Sequence, residues 1–126
     1  MNNTTHVLVI EPGKKPYEKD IGSDLASLQN AVRGYIQAIY PYDELVAIVC
    51  DEEGKLSGKE LNRALRDDDG DIYDVIAGTF LVVGLGEDDF ASLSPELCEQ
   101  FKAKFAVPEA FIVMNGHMVC IPINTD

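Results

Sequence analysis

The sequence predicts an α+β fold, a compact domain with a mainly antiparallel or mixed sheet, and three observations carry that prediction. A continuous apolar run of strand length, LVAIVC at 45–50, lies mid-chain and is rich in Val and Ile. Two segments carry helix caps followed by apolar residues at three- and four-residue spacing. Near the end, Asn115-Gly116 separates the apolar runs FIVM and HMVCI. That dipeptide permits the positive backbone angles of a tight type I′ turn and so predicts a C-terminal β-hairpin.

The elements follow in order. HVLVI at 6–10 is a short apolar strand, and a turn-rich stretch with Pro12, Gly13 and Pro16 comes next. Tyr17, Lys19 and Ile21 then alternate with Glu18 and Asp20, the period-2 pattern of a half-exposed strand, which makes an N-terminal hairpin. Ser23 caps a first main helix, with Asp24 at the positive end of its dipole. Leu25, Leu28, Val32, Tyr35, Ile36 and Ile39 form its apolar face, and Pro41 ends it. Gly34 within that helix costs about 1 kcal/mol relative to Ala and points to close packing.

After the central strand, Ser57-Gly58-Lys59-Glu60 matches a capping box and predicts a short helix over 58–66, with Leu61, Ala64 and Leu65 as its apolar stripe. Residues 72–85 are rich in β-branched side chains and read as one or two strands, with Gly78 at a bulge or a close backbone approach. Ser94-Pro95 opens the second main helix, with Leu97, Phe101 and Phe105 facing inward and Pro108 beyond its end. The whole chain, 1–126, is expected to form one domain, with residues 1–5 disordered.

Composition removes several functions. There are 22 acidic and 10 basic residues, a formal net charge of −12. Such a field repels nucleic acid and anionic membranes, so direct binding to either is not expected. No apolar run approaches the roughly 18 residues of a membrane span, and the polar N-terminus lacks the pattern of a signal peptide, so a cytoplasmic location is expected. Cys50, Cys98 and Cys120 are widely spaced and odd in number, a poor disulfide framework. They are expected to behave as small hydrophobes.

The motifs argue for no catalytic residue, no cofactor and no metal. Asp67, Asp68, Asp69, Gly70 and Asp71 look like part of a calcium loop, but the alignment that fits Gly70 puts Leu65 and Ile76 where the anchoring ligands belong. The acids read as a turn. Gly84-Leu85-Gly86 starts like a dinucleotide fingerprint, yet the third glycine is missing and Glu87, Asp88 and Asp89 stand where a pyrophosphate would sit. His117 and Cys120 have no second pair to complete a zinc site. One basic island does stand out: Lys59, Arg63 and Arg66 share a face if residues 58–66 are helical. That face is expected to be solvated, with a recognition spot for an anionic group, using Asn62 and Arg63 as donors, as the functional alternative.

At GKELNRALRD, 58–67, and IYDVIAGTF, 72–80, the chain resembles a family catalogued as domain of unknown function 3846. The stretches VLVIEPGKKPYEKDIG and LQNAVRGYIQAIYP are similar to it as well, so the resemblance spans most of residues 6–105. Its best markers are the polar Asn, here Asn62, and the I-x-G step, here Ile76 and Gly78. The last twenty residues are more particular to this chain. The family has no assigned activity, so no catalytic residue carries over. The resemblance implies a small accessory protein of bacteria, phages and conjugative elements, sometimes encoded near antirestriction genes.

Three functional expectations result. The first is a non-catalytic binding or regulatory protein of a mobile element that acts on a protein partner. The second is an antirestriction protein whose acidic surface imitates DNA. The third is a small-molecule binder or enzyme with its site at Asn62, Arg63, Arg66 and Gly78.

Overall fold

The computed structural model describes residues 4–123. In chain order it comprises β1 (Thr4–Ile10), β2 (Tyr17–Gly22), α1 (Leu25–Val32), β3 (Ile36–Ile39), β4 (Val46–Asp51), β5 (Leu61–Arg66), β6 (Ile72–Ala77), β7 (Phe80–Leu85), β8 (Phe90–Ala91), α2 (Pro95–Lys104), β9 (Glu109–Met114) and β10 (His117–Pro122). Residues 1–3 of the segment expected to be disordered lie outside the described residues. Thr4 and Thr5 belong to β1, and Thr5 is buried.

The main sheet runs β2-β1-β7-β4-β3, with β8 paired to β7, and every pairing in it is antiparallel. Its three middle strands alternate two apolar sets, so both faces are dry. Val7, Val9, Ala47, Val49, Leu81 and Val83 pack with Leu28 and Val32 of α1. Leu8, Ile10, Ile48, Phe80 and Val82 pack on the other face with Cys98 and Phe101 of α2, Phe105 beyond it, and Leu65 and Ile76 of the β5–β6 hairpin. Thus α1 covers one face, while α2 and a second, two-stranded sheet cover the other. The β9–β10 hairpin is a third, separate sheet. Asn115 and Gly116 at its tip have φ of 52° and 80°, as the tight turn requires.

Two helical expectations are corrected. The first main helix stops at Val32, about half-way along the stretch expected to form it, and 36–39 is strand β3, paired with Ile48–Asp51 of β4. Arg33 takes a left-handed conformation (φ 61°) and its N–H closes onto Gln29 O. Gly34 then passes so near Asp51 that a Cβ there would lie 2.5 Å from its carboxyl carbon. Ile36 and Ile39 suit a strand and are half-buried on it. The cap of α1 is Asp24, whose carboxylate accepts from Ser27 N, rather than Ser23.

The short helix over 58–66 is also absent, and its residues form β5. The Ser57 hydroxyl donates to Glu53 O at 2.9 Å, closing the preceding turn instead of capping a helix. Pairing with β6 and packing of the hairpin on the main sheet bury Ala64 and Leu65, and that tertiary gain outweighs helix propensity. Elsewhere the expected elements stand: Ser94 caps α2 with Pro95 at its first position, and Gly86 N bonds Asp89 O in the turn that carries Glu87 and Asp88.

Candidate functional site

The register of β5 on β6 shifts between Leu61 and Arg63, so two residues oppose one and Asn62 is the extra. The bulge turns the Asn62 side chain inward instead of leaving it on the ladder. It is fully buried, and its amide donates to Ile10 O at 2.9 Å and to Gly78 O at 2.8 Å. Its own Oδ1 accepts from Arg63 Nη1 at 2.8 Å. One side chain therefore ties β5 to the end of β1 and to the β6–β7 turn.

Arg63 is 1% exposed, so the solvated helix face expected for it is replaced by a core position. Its guanidinium donates to Phe105 O from Nε and Nη2, to Lys14 O from Nη2, and to Asn62 O and Oδ1 from Nη1. All five N–H groups are thus engaged, and none goes to a carboxylate. Burial pushes its pKa down, but an arginine stays charged. Phe105 O lies at the C-terminal end of α2, where the helix dipole is negative, so the carbonyl end offsets part of the desolvation cost.

Gly78, expected at a close approach, has φ 81°, and a Cβ on it would meet Lys59 Cδ at 2.9 Å. The stem of Lys59 lies against it. The Lys59 ammonium donates to Val32 O (3.0 Å) and Arg33 O (2.8 Å) at the end of α1, and pairs with Asp51 at 2.5 Å. Arg66 stays at the surface, held by Glu109 (2.8 Å) with Cys120 Sγ at 3.4 Å, and Glu109 raises its pKa. Asn62, Arg63 and Gly78 therefore come together, whereas Lys59, Arg63 and Arg66 do not share a face. A cavity of about 200 Å³ between β5 and the end of α2 is lined by Arg63, Arg66, Lys104, Tyr42, Val107 and Glu109.

The acidic turn is closed on itself. The Asp67 carboxylate accepts from the backbone N–H groups of Asp69 and Asp71, as a turn-forming aspartate does.

The family model described as Domain of unknown function (DUF3846) matches residues 4–106. The chain belongs to that family. No curated protein and no solved structure matches it. The DUF3846 match takes in the whole Asn62–Arg63–Gly78 network and stops before β9. Asn62 and Gly78, in separate stretches of the matched region, are partners in one hydrogen bond.

What lies past the DUF3846 match is the β9–β10 ribbon. Glu109 anchors it, taking the Ala64 N–H at 2.7 Å and the Arg66 guanidinium together. Sequence reading missed Glu109, because a single acid after Pro108 carries no pattern. Ile112, Val113, Met114, Met118 and Ile121 are all exposed beyond that anchor. Direct partners in the ladder share a face, which puts Val113 and Met118 on one side and Ile112, Met114 and Ile121 on the other. Among the described residues no helix is long and apolar enough to cross a membrane.

Proposed function

We propose that this DUF3846 protein is a non-catalytic binding protein, an accessory of a mobile element, and that it docks on a protein partner through the β9–β10 ribbon. The observation that carries this is the exposed apolar hairpin. Ile112, Val113, Met114, Met118 and Ile121 are all exposed, on both faces of a hairpin, in a chain whose net charge is −12. Clustered exposed apolar side chains mark interaction surfaces, and methionine adapts to varied partners.

Two alternatives have less support. Arg63 has its donors engaged by the fold, which leaves a ligand site at Asn62 and Arg63 only the surface cations Arg66 and Lys104. A DNA mimic needs carboxylates that no cation of its own chain neutralises, yet Glu18, Asp51, Asp74 and Glu109 are paired with Lys102, Lys59, Lys55 and Arg66.

The test is a pull-down with tagged full-length protein from a host carrying the element, alongside a Val113→Asp/Met118→Asp variant. A partner retained at high salt and lost with the variant supports docking, because apolar contact is not screened. A partner released by salt, or bound equally by the variant, overturns it.

A further inference from the structure

The face of β1 and β2 that α2 covers carries a cluster separate from both the ribbon and the Asn62 network. His6 pairs with Asp20 and Leu8 with Glu18 in the β1–β2 ladder, which sets His6, Glu18 and Asp20 on one face with Leu8. Leu8 shares its core with Cys98 of α2. A donor atom from each of His6, Glu18 and Cys98 lies within 4.8 Å of the other two. His6 Nε2 is 2.8 Å from Glu18 Oε1, and its Nδ1 is 2.6 Å from Asp20 Oδ1.

We propose that His6, Glu18 and Cys98 form a binding site for a divalent transition metal of the zinc type, with Asp20 orienting the imidazole. The donor set is what such an ion takes: one imidazole, one carboxylate and one thiolate. Metal-bound histidines nearly always give their other ring N–H to a carboxylate or carbonyl, and Asp20 is placed to receive it. Bonds of about 2.0–2.3 Å in tetrahedral geometry set donor atoms about 3.3–3.6 Å apart. The His6–Glu18 contact must therefore open by roughly half an ångström. Both side chains are about one-third exposed (36%), so core packing does not lock either in place. Three protein ligands leave the fourth position to water on the solvent side.

The exchange of protons for the ion is balanced in charge. Each ring nitrogen of His6 faces a carboxylate, so the imidazolium satisfies both. When the ion binds, the Nε2 proton and the Cys98 thiol proton leave to solvent. Two positive charges go as two arrive, so the cluster's net charge is unchanged. Lys102, one turn after Cys98, holds the other oxygen of Glu18 and leaves Oε1 for the metal. Burial among core side chains pushes the Cys98 thiol up to about 11, so the ion must compete with that proton.

The test is titration of the purified, reduced full-length protein with Co²⁺, followed by displacement with Zn²⁺. The expected result is a thiolate-to-cobalt charge-transfer band that saturates at one ion per chain and is abolished by Zn²⁺. His6→Gln and Glu18→Gln should weaken binding at least tenfold, and Asp20→Asn by about 10–100-fold. Cys98→Ser should remove the band while Cys120→Ser keeps it. Cys98 is a core residue, so the change at half-buried His6, His6→Gln, keeps the test decisive if Cys98→Ser misfolds. No band in the native protein, or a band undiminished by His6→Gln, overturns the assignment. So does a band that is lost in Cys120→Ser.

Discussion

Lys59 and Arg63, four residues apart, cap the C-terminal ends of the two helices on opposite faces of the sheet. Lys59 donates to Val32 O and Arg33 O of α1, and Arg63 donates to Phe105 O of α2. Each puts a cation where a helix dipole is negative. The segment into β5 is thus a staple between the layers, and the bulge at Asn62 lets it serve both.

The coupling of Asn62 to Arg63 is the sharpest consequence. Asn62→Ala strands Ile10 O and Gly78 O in the core and removes one acceptor of Arg63. Buried groups left unpaired cost about 1–3 kcal/mol each, so a loss of about 2–4 kcal/mol is expected in urea unfolding. Arg63→Lys should cost a comparable amount, because an ammonium has three donors and no planar fork to span Phe105, Lys14 and Asn62. The double variant should fall short of the sum by about 1 kcal/mol or more. Additive losses would show that the two side chains act separately.

Gly78→Ala tests the turn position that accepts from Asn62. A methyl group there meets Lys59 Cδ and must adopt φ near 81°, so a loss of more than about 1 kcal/mol is expected. Gly70, with φ 85° but open space around it, gives the comparison. Gly70→Ala carries the backbone strain alone and should cost less. Equal losses would mean that the contact with Lys59 adds nothing.

Acid should weaken the same staple. Lys59 beside Asp51 holds its carboxyl below the ordinary range. The unfolded chain therefore takes up that proton first as the pH falls. The stability from this pair is full well above pH about 4, the unfolded Asp value, and is lost as pH falls through the lower folded pKa. Asp51→Asn should cost about 1–3 kcal/mol at neutral pH, with the gap from the native protein closing below pH about 4. Urea midpoints between pH 3 and pH 7 measure it, and a pH-independent gap would exclude the ion pair as the cause.

Sequence patterning made the outer plan legible and misread the middle. The Asn-Gly turn, Ser94-Pro95 and the apolar run around Ile48 are local signals, and each gave the element found there. Tyr35, Ile36 and Ile39 continue the helical spacing of Leu28 and Val32, yet the chain turns at Arg33 and Gly34. The Arg33 and Gly34 N–H groups close that turn onto Gln29 O, and Asp51 and Lys59, distant in sequence, pack on it. The Ser57–Glu60 pattern failed for the same reason, since the β6 partner strand determines β5. Asn62 and Gly78 stood out in the sequence as candidate binding positions, but one buried asparagine in a string of letters does not reveal that it is a bulge. His6, Glu18 and Asp20 were within reach, because alternation puts Glu18 and Asp20 on one face. Only the packing of α2 brings Cys98 to them.

The ribbon should loosen without the domain unfolding. Glu109 joins β9 to β5 through Ala64 N and Arg66, and beyond it the hairpin tip carries largely exposed side chains. Glu109→Gln keeps the shape and can still accept from Ala64 N with its carbonyl oxygen, but loses the ion pair. Arg66 is partly exposed, so that pair is screened, and global stability should fall by about 1 kcal/mol or less. Amide exchange in β9 and β10 should nonetheless speed up several-fold while β4 and β7 keep their protection, because local opening depends on the few contacts that hold an element. Mass-resolved hydrogen exchange on the native and Glu109→Gln proteins reads this directly. Equal acceleration in β4 would mean that Glu109 supports the whole fold and not the ribbon alone. If the ribbon is the docking element, the same variant should bind its partner more weakly while its melting temperature hardly moves, since a looser hairpin must be ordered again on binding.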